Sequence, residues 1–151
     1  AAIVYQLIVA GADFNTSNKW RQSPSNLAAT WTTEQIVKRL LEAGADVNAS
    51  TGSHSALVRA AQNGAMESAG ILITGGADVN RADEKGTTAL MVAARAGNED
   101  MLQLLLSQSP EMNRQDEKGD TGLTMAVANG HEINATLLLA KGTDPNVQAA
   151  A

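Results

Sequence analysis

The chain has no cysteine and few aromatic side chains: two Trp, one Tyr and one Phe in 151 residues. Without cysteine there is no disulfide framework and no thiolate metal site, which suits the cytosol or the nucleus. With so few rings, a core must be built from Leu, Ile, Val and Ala, as thin stacked helices require. No apolar run is long enough to span a membrane. Positive charge is also short: 11 Lys and Arg against 16 Asp and Glu leave a net charge of −5. That balance speaks against broad nucleic-acid binding, which needs a basic face. There is no P-loop, no Gly-x-Gly-x-x-Gly, no His-Glu-x-x-His and no Gly-x-Ser-x-Gly elbow. The two histidines, His54 and His131, lie far apart in sequence. No catalytic residue, metal ligand or cofactor is expected. The apolar fraction of 44% is ordinary for a folded chain, and the length is that of one domain.

What the chain does contain is a recurring phrase. Gly-Ala-Asp-Phe-Asn at 11–15 returns as Gly-Ala-Asp-Val-Asn at 44–48 and 76–80. It returns in altered form as Ser-Pro-Glu-Met-Asn at 109–113 and Gly-Thr-Asp-Pro-Asn at 142–146. The closing asparagines, Asn15, Asn48, Asn80, Asn113 and Asn146, are spaced by 33, 32, 33 and 33 residues. A fixed period in that range means stacked supersecondary units, and such arrays usually present a long surface to another macromolecule.

Each period has the same interior, clearest in 81–113. A polar stretch from Arg81 to Gly86 predicts a turn. Thr88 is placed to cap a short helix, its oxygen accepting from an early backbone N–H. Gly97 sits where a left-handed residue ends that helix. Glu99 and Asp100 open a second helix, where acids suit the positive end of the dipole, and Leu102, Leu105 and Leu106 follow at helical spacing. Residues 114–146 supply Thr121, Gly130 and the run Ile133 to Leu139. Residues 49–80 supply Ser55, Gly64 and Ile71 to Ile73, with one residue lost from the turn. Residues 16–48 supply Ser23-Pro24, with Pro24 suited to the first helical position, and Ile36 to Leu41. There Thr32 replaces the glycine and Ser25 replaces a leucine, so that first helix is expected to be the least well packed. Residues 1–15 hold only a second helix, carried by Ile3, Val4, Leu7 and Ile8. The apolar run from Ile3 to Ala10 has some look of a signal-peptide core, but the repeat register accounts for it better.

These parts resemble ankyrin repeats: a turn, a Thr-Pro-Leu-His-like helix start, a Gly-His-like break, a Leu-rich helix and a Gly-Ala-Asp-Val-Asn close. The resemblance covers residues 1 to about 146. No unit keeps the helix start intact; the chain offers Ser-Pro-Ser-Asn, Ser-Ala-Leu-Val, Thr-Ala-Leu-Met and Thr-Gly-Leu-Thr. The implied fold is an all-α solenoid of helix-turn-helix units linked by β-hairpin or turn fingers. It would be a single domain with a half repeat at 1–15, repeats at 16–48, 49–80, 81–113 and 114–146, and a tail at 147–151. Residues 1–10 lack a first helix, Leu137, Leu138 and Leu139 are as apolar as the inner units, and Val147 onward resembles the start of another turn. The chain is therefore expected to be an excerpt of a longer array or multidomain protein.

In this family, turn tips and the exposed face of the first helices line the concave surface that usually grips partners. Trp20 aligns with Lys85 near a turn tip, and Trp31 aligns with Ala96, just before the glycine break. Exposed Trp is enriched among binding hot spots, so both are candidate partner contacts; the competing reading is that one of them packs over the weak helix at Ser25. The same register adds Lys19, Gln22, His54, Gln62, Asn63, Glu84, Lys85, Thr87, Arg95, Glu117, Lys118, Asp120 and Asn129. His131 falls in the Gly-His break, where a structural role is expected. Together these describe a surface that is aromatic at its N-terminal end and polar, mildly acidic, at the other. It is expected to take a protein or peptide with apolar anchors and some basic character. The resemblance also makes Asn48 and Asn80 possible hydroxylation sites. Sequons at Asn15, Asn48 and Asn134 are expected to be coincidental. The expected function is a non-enzymatic interaction module, a scaffold, adaptor or inhibitor. The alternative is a regulatory or substrate-recruiting part of a larger enzyme or channel.

Overall fold

The computed structural model describes residues 34–48 and 55–147. The half repeat, the Ser23-Pro24 helix start, the Thr32 break and both tryptophans lie outside the described residues. Among the described residues there are seven helices joined by turns, and no strand. They belong to two compact units divided between Asp78 and Val79.

The first unit contains α1 (Glu34–Glu42), α2 (Ala56–Asn63) and α3 (Met66–Thr74). Helix α3 packs against both α1 and α2. Val37 and Leu40 of α1 and Ala69 and Leu72 of α3 are buried, with Leu57, Val58, Ala60 and Ala61 of α2. Helix α2 starts where Ser55 Oγ accepts from the Val58 N–H at 3.2 Å. It stops at Gly64, whose φ of 64° turns the chain and aims its N–H at the carbonyls of Ala60 and Ala61. A left-handed residue there satisfies helix-end carbonyls that would otherwise lack a donor.

The second unit contains α4 (Ala89–Ala96), α5 (Glu99–Leu106), α6 (Gly122–Ala128) and α7 (Glu132–Ala140). Each short helix pairs with the one after it, α4 with α5 and α6 with α7; across the pairs, α4 packs on α6 and α5 on α7. The caps fall where the repeat register puts them. Thr88 Oγ1 accepts from the Met91 N–H, and Gly97 closes α4 with φ 68°. Thr121 and Thr124 bond reciprocally, each backbone N–H donating to the other's hydroxyl, a capping box built from two threonines. Glu99 and Asp100 do open α5, but its cap is Asn98, whose side-chain oxygen accepts from the Met101 N–H at 3.0 Å. Met101, Leu102, Leu105 and Leu106 are buried.

The closing asparagines have a structural use that periodicity alone does not reveal. Asn48 Oδ1 accepts from the Asp78 N–H at 2.7 Å, and its Nδ2 donates to the Gly76 carbonyl at 3.0 Å. In the second unit Asn80 Oδ1 accepts from the Glu111 N–H at 2.7 Å, and Asn113 Oδ1 accepts from the Asp144 N–H at 2.9 Å. Each asparagine therefore ties the end of one period to the end of the next. Short neutral side chains of this kind readily satisfy turn backbone.

The last helix pair departs from the expected burial. Leu106 is 7% exposed, but its register counterpart Leu139 is 46% exposed; Val127 is 64% exposed where its counterpart Ala94 is fully buried. Ile133, read from the sequence as part of an apolar helix face, is 60% exposed. Its register counterpart Asp100 is exposed as well. Ala94 and Leu106 are buried in the α4–α5 pair, on which α6 and α7 pack, whereas no described helix covers Val127 and Leu139 in the α6–α7 pair.

Candidate functional site

The turns that precede α4 and α6 are built alike. Asp83 Oδ1 accepts from the N–H groups of Lys85 (2.9 Å) and Thr87 (2.8 Å), and the Asp83 N–H donates to the Thr87 carbonyl at 3.0 Å. Asp116 does the same thirty-three residues on, with Lys118 and Asp120 both at 2.9 Å. An aspartate that folds its own turn in this way is a recognised local motif. It projects Glu84 and Lys85 from one finger, and Glu117 and Lys118 from the next, into solvent. The two fingers are tied directly, the Glu117 N–H donating to the Lys85 carbonyl at 2.8 Å.

Among the predicted contacts in the second unit, Glu84, Lys85, Arg95, Glu117, Lys118 and Asn129 are exposed. Ala96, the register counterpart of Trp31, is exposed too. Asn129 spends its amide on the Met125 carbonyl at 2.8 Å, closing α6. Asp120 is half-buried, with one carboxylate oxygen accepting from the Thr124 hydroxyl at 3.3 Å. Thr87 does not belong with these exposed residues. It is 7% exposed, because it closes the Asp83 turn and leads directly into the α4 cap, so its side chain faces the protein. In the first unit Gln62 and Asn63 are exposed at the end of α2. Lys19, Trp20, Gln22, Trp31 and His54 lie outside the described residues.

His131 has the structural place expected of it. Its ring lies over Gly97, and Nε2 is 3.0 Å from the Arg95 carbonyl oxygen. A carbonyl only accepts, so Nε2 carries the proton of this bond. The sequon at Asn134 is closed to modification in this fold, because Asn134 is buried and donates to the Ala93 carbonyl at 3.2 Å. Asn48 and Asn80 are half-buried, and their side-chain oxygens are held by the bonds between periods. The turn-forming role of Asp83 and Asp116 was missed at the sequence level, although an Asp three residues before a Gly in both turns was a usable signal.

Among the described residues no cluster of His, Asp and Glu is arranged to hold a metal ion, and no helix is long and apolar enough to cross a membrane. No curated protein matches the chain. The family model for ankyrin repeats, which spans three copies, matches residues 1–83 and again residues 57–149. The repeated turn, capped short helix, glycine break and second helix agree with that match along the described residues, and the chain belongs to the ankyrin-repeat family.

Proposed function

We propose that this chain is a non-enzymatic binding module that holds a protein or peptide partner against its finger tips and the exposed ends of its first helices. Ankyrin repeats generally serve protein–protein interaction, and that is the support for the general role. Support for the surface comes from Glu84, Lys85, Glu117 and Lys118, which are exposed on backbone held by the Asp83 and Asp116 turns, and from Arg95, exposed in the last turn of α4. Rigid presentation lowers the ordering cost of binding. Trp20 and Trp31 are the apolar anchors of this reading, and a cytoplasmic or nuclear scaffold, adaptor or inhibitor is its biological form. The mixed-sign tips favour a protein partner over nucleic acid, which would need a basic stripe.

The test is capture of partners by the intact chain, compared with a Trp20→Ala/Trp31→Ala variant and an Arg95→Ala/Lys118→Ala variant, each checked for folding by circular dichroism. Loss of the same partner from both folded variants supports the surface. Equal capture by both would remove it. Asn48 and Asn80 remain proposed hydroxylation sites, checked by intact mass: an added oxygen on native protein that Asn48→Ala and Asn80→Ala abolish.

A further inference from the structure

A second surface lies on the other helices of the first unit. Helices α1 and α3 flank an open groove of about 610 Å³ that, among the described residues, is lined by these two helices and Gly75. No residue of α2 contributes. Leu41 and Ile71 supply its apolar surface, and Leu41 Cδ1 lies so close to Gly75 that a Cβ there would meet it at 2.8 Å. The groove stays open through Gly70, which sits in the middle of α3 with nothing within 4 Å of where a Cβ would stand. Glycine inside a helix weakens it relative to almost any other residue, and no neighbour requires it here. The register counterpart in α5 is Gln103, whose side chain bonds back to Glu99.

The rim is charged with one sign in excess. Among the described residues, Glu34, Glu42 and Glu67 line the groove with Lys38. Glu42 also has Arg39 within 3.8 Å, so the acidic excess rests on Glu34 and Glu67. Low-dielectric walls beneath such a rim strengthen its attraction for positive charge.

We propose that the α1–α3 groove docks a short amphipathic protein segment whose apolar side chains lie on Leu41 and Ile71 and whose Lys or Arg residues face Glu34 and Glu67. Each wall is nine residues long, about 13 Å at the helical rise. That length matches two to three turns of a docked helix, a known mode of groove recognition. The site is separate from the finger-tip surface and does not depend on it.

The probe is a synthetic Lys-Leu-Leu-Lys-Leu-Leu-Lys peptide, titrated into the full isotope-labelled chain and followed by backbone amide shifts. The control is the same peptide with Glu in place of Lys. Saturable shifts at Lys38, Leu41 and Ile71, weakened by added salt and absent with the Glu peptide, are expected. Gly70→Gln fills the groove without changing its charge and favours the helix; it should weaken binding about tenfold. Glu34→Gln/Glu67→Gln keeps the shape and should weaken binding several-fold while flattening the salt dependence. Unchanged affinity in both variants overturns the proposal, as does an absence of saturable shifts. Shifts confined to Arg95, Lys118 and Asn129 also overturn it, while leaving the finger-tip reading standing.

Discussion

The His131 ring covers Gly97 so closely that a Cβ on the glycine would fall 2.6 Å from Nδ1. Gly97 is also left-handed, at φ 68°, so Gly97→Ala carries two costs. The backbone alone accounts for about 1 kcal/mol, and the clash should bring the total to about 2 kcal/mol or more. Gly130 has a similar φ of 73° with nothing within 4 Å, so Gly130→Ala should show the backbone cost alone. Urea unfolding of both variants separates the two. Adding His131→Ala to Gly97→Ala should recover the steric part, and a double variant no more stable than expected from additivity would refute the contact.

Ser109 has a φ of 51°, where the corresponding positions of other periods carry Gly44, Gly76 and Gly142, all at positive φ. A residue with a Cβ is strained there. Ser109→Gly should therefore stabilise the chain by about 0.5–1 kcal/mol, read as a higher urea midpoint with an unchanged slope. A lower midpoint would mean that the serine makes a compensating interaction.

The asparagine ties should each contribute to stability. Asn80→Ala and Asn113→Ala each remove the acceptor of one backbone N–H and should cost about 1 kcal/mol apiece. The Asn80 tie ends at Glu111, two residues before Asn113, so both losses fall on one turn and the cost of the double variant should depart from the sum of the two. Asn80→Asp keeps an oxygen in place and should cost less than Asn80→Ala. Equal losses for Asp and Ala would place the asparagine's contribution elsewhere.

Equivalent leucines should respond unequally to charge. Leu106→Lys puts an ammonium into a covered position and should cost about 3 kcal/mol or more. Leu139→Lys, at the same register position but nearly half exposed, should change stability by less than about 1 kcal/mol. Thermal melts of the two variants, compared at equal concentration, decide it.

Much of this was legible in the sequence, for identifiable reasons. Ser55, Thr88 and Thr121 announce helix starts because a cap depends on residues only three positions away. Gly64 and Gly97 announce helix ends because few residues besides glycine tolerate a left-handed backbone. The buried Leu102, Leu105 and Leu106 follow from period alone. The burial of Thr87 was not legible: one position decides whether a turn residue faces solvent or the helix start, and that depends on how the Asp83 carboxylate closes its turn. Nor was the exposure of Val127 and Leu139, because an apolar side chain carries no record of whether a neighbour covers it. The asparagine ties were hidden as well, since their partners lie a full period away.

The ties from phrase to phrase also bear on how such a chain evolves. Asn80 and Asn113 each reach a backbone N–H thirty-one residues ahead, whereas Asn48 reaches one thirty residues ahead. The period between Asn48 and Asn80 is the short one, and its tie is intact. A tandem duplication or deletion of one whole unit would give every asparagine a familiar partner at both ends. Loss or gain of a single codon within a finger would leave the ties in place. The array can therefore change in length, and vary its fingers, with little need for compensating mutations in its helices.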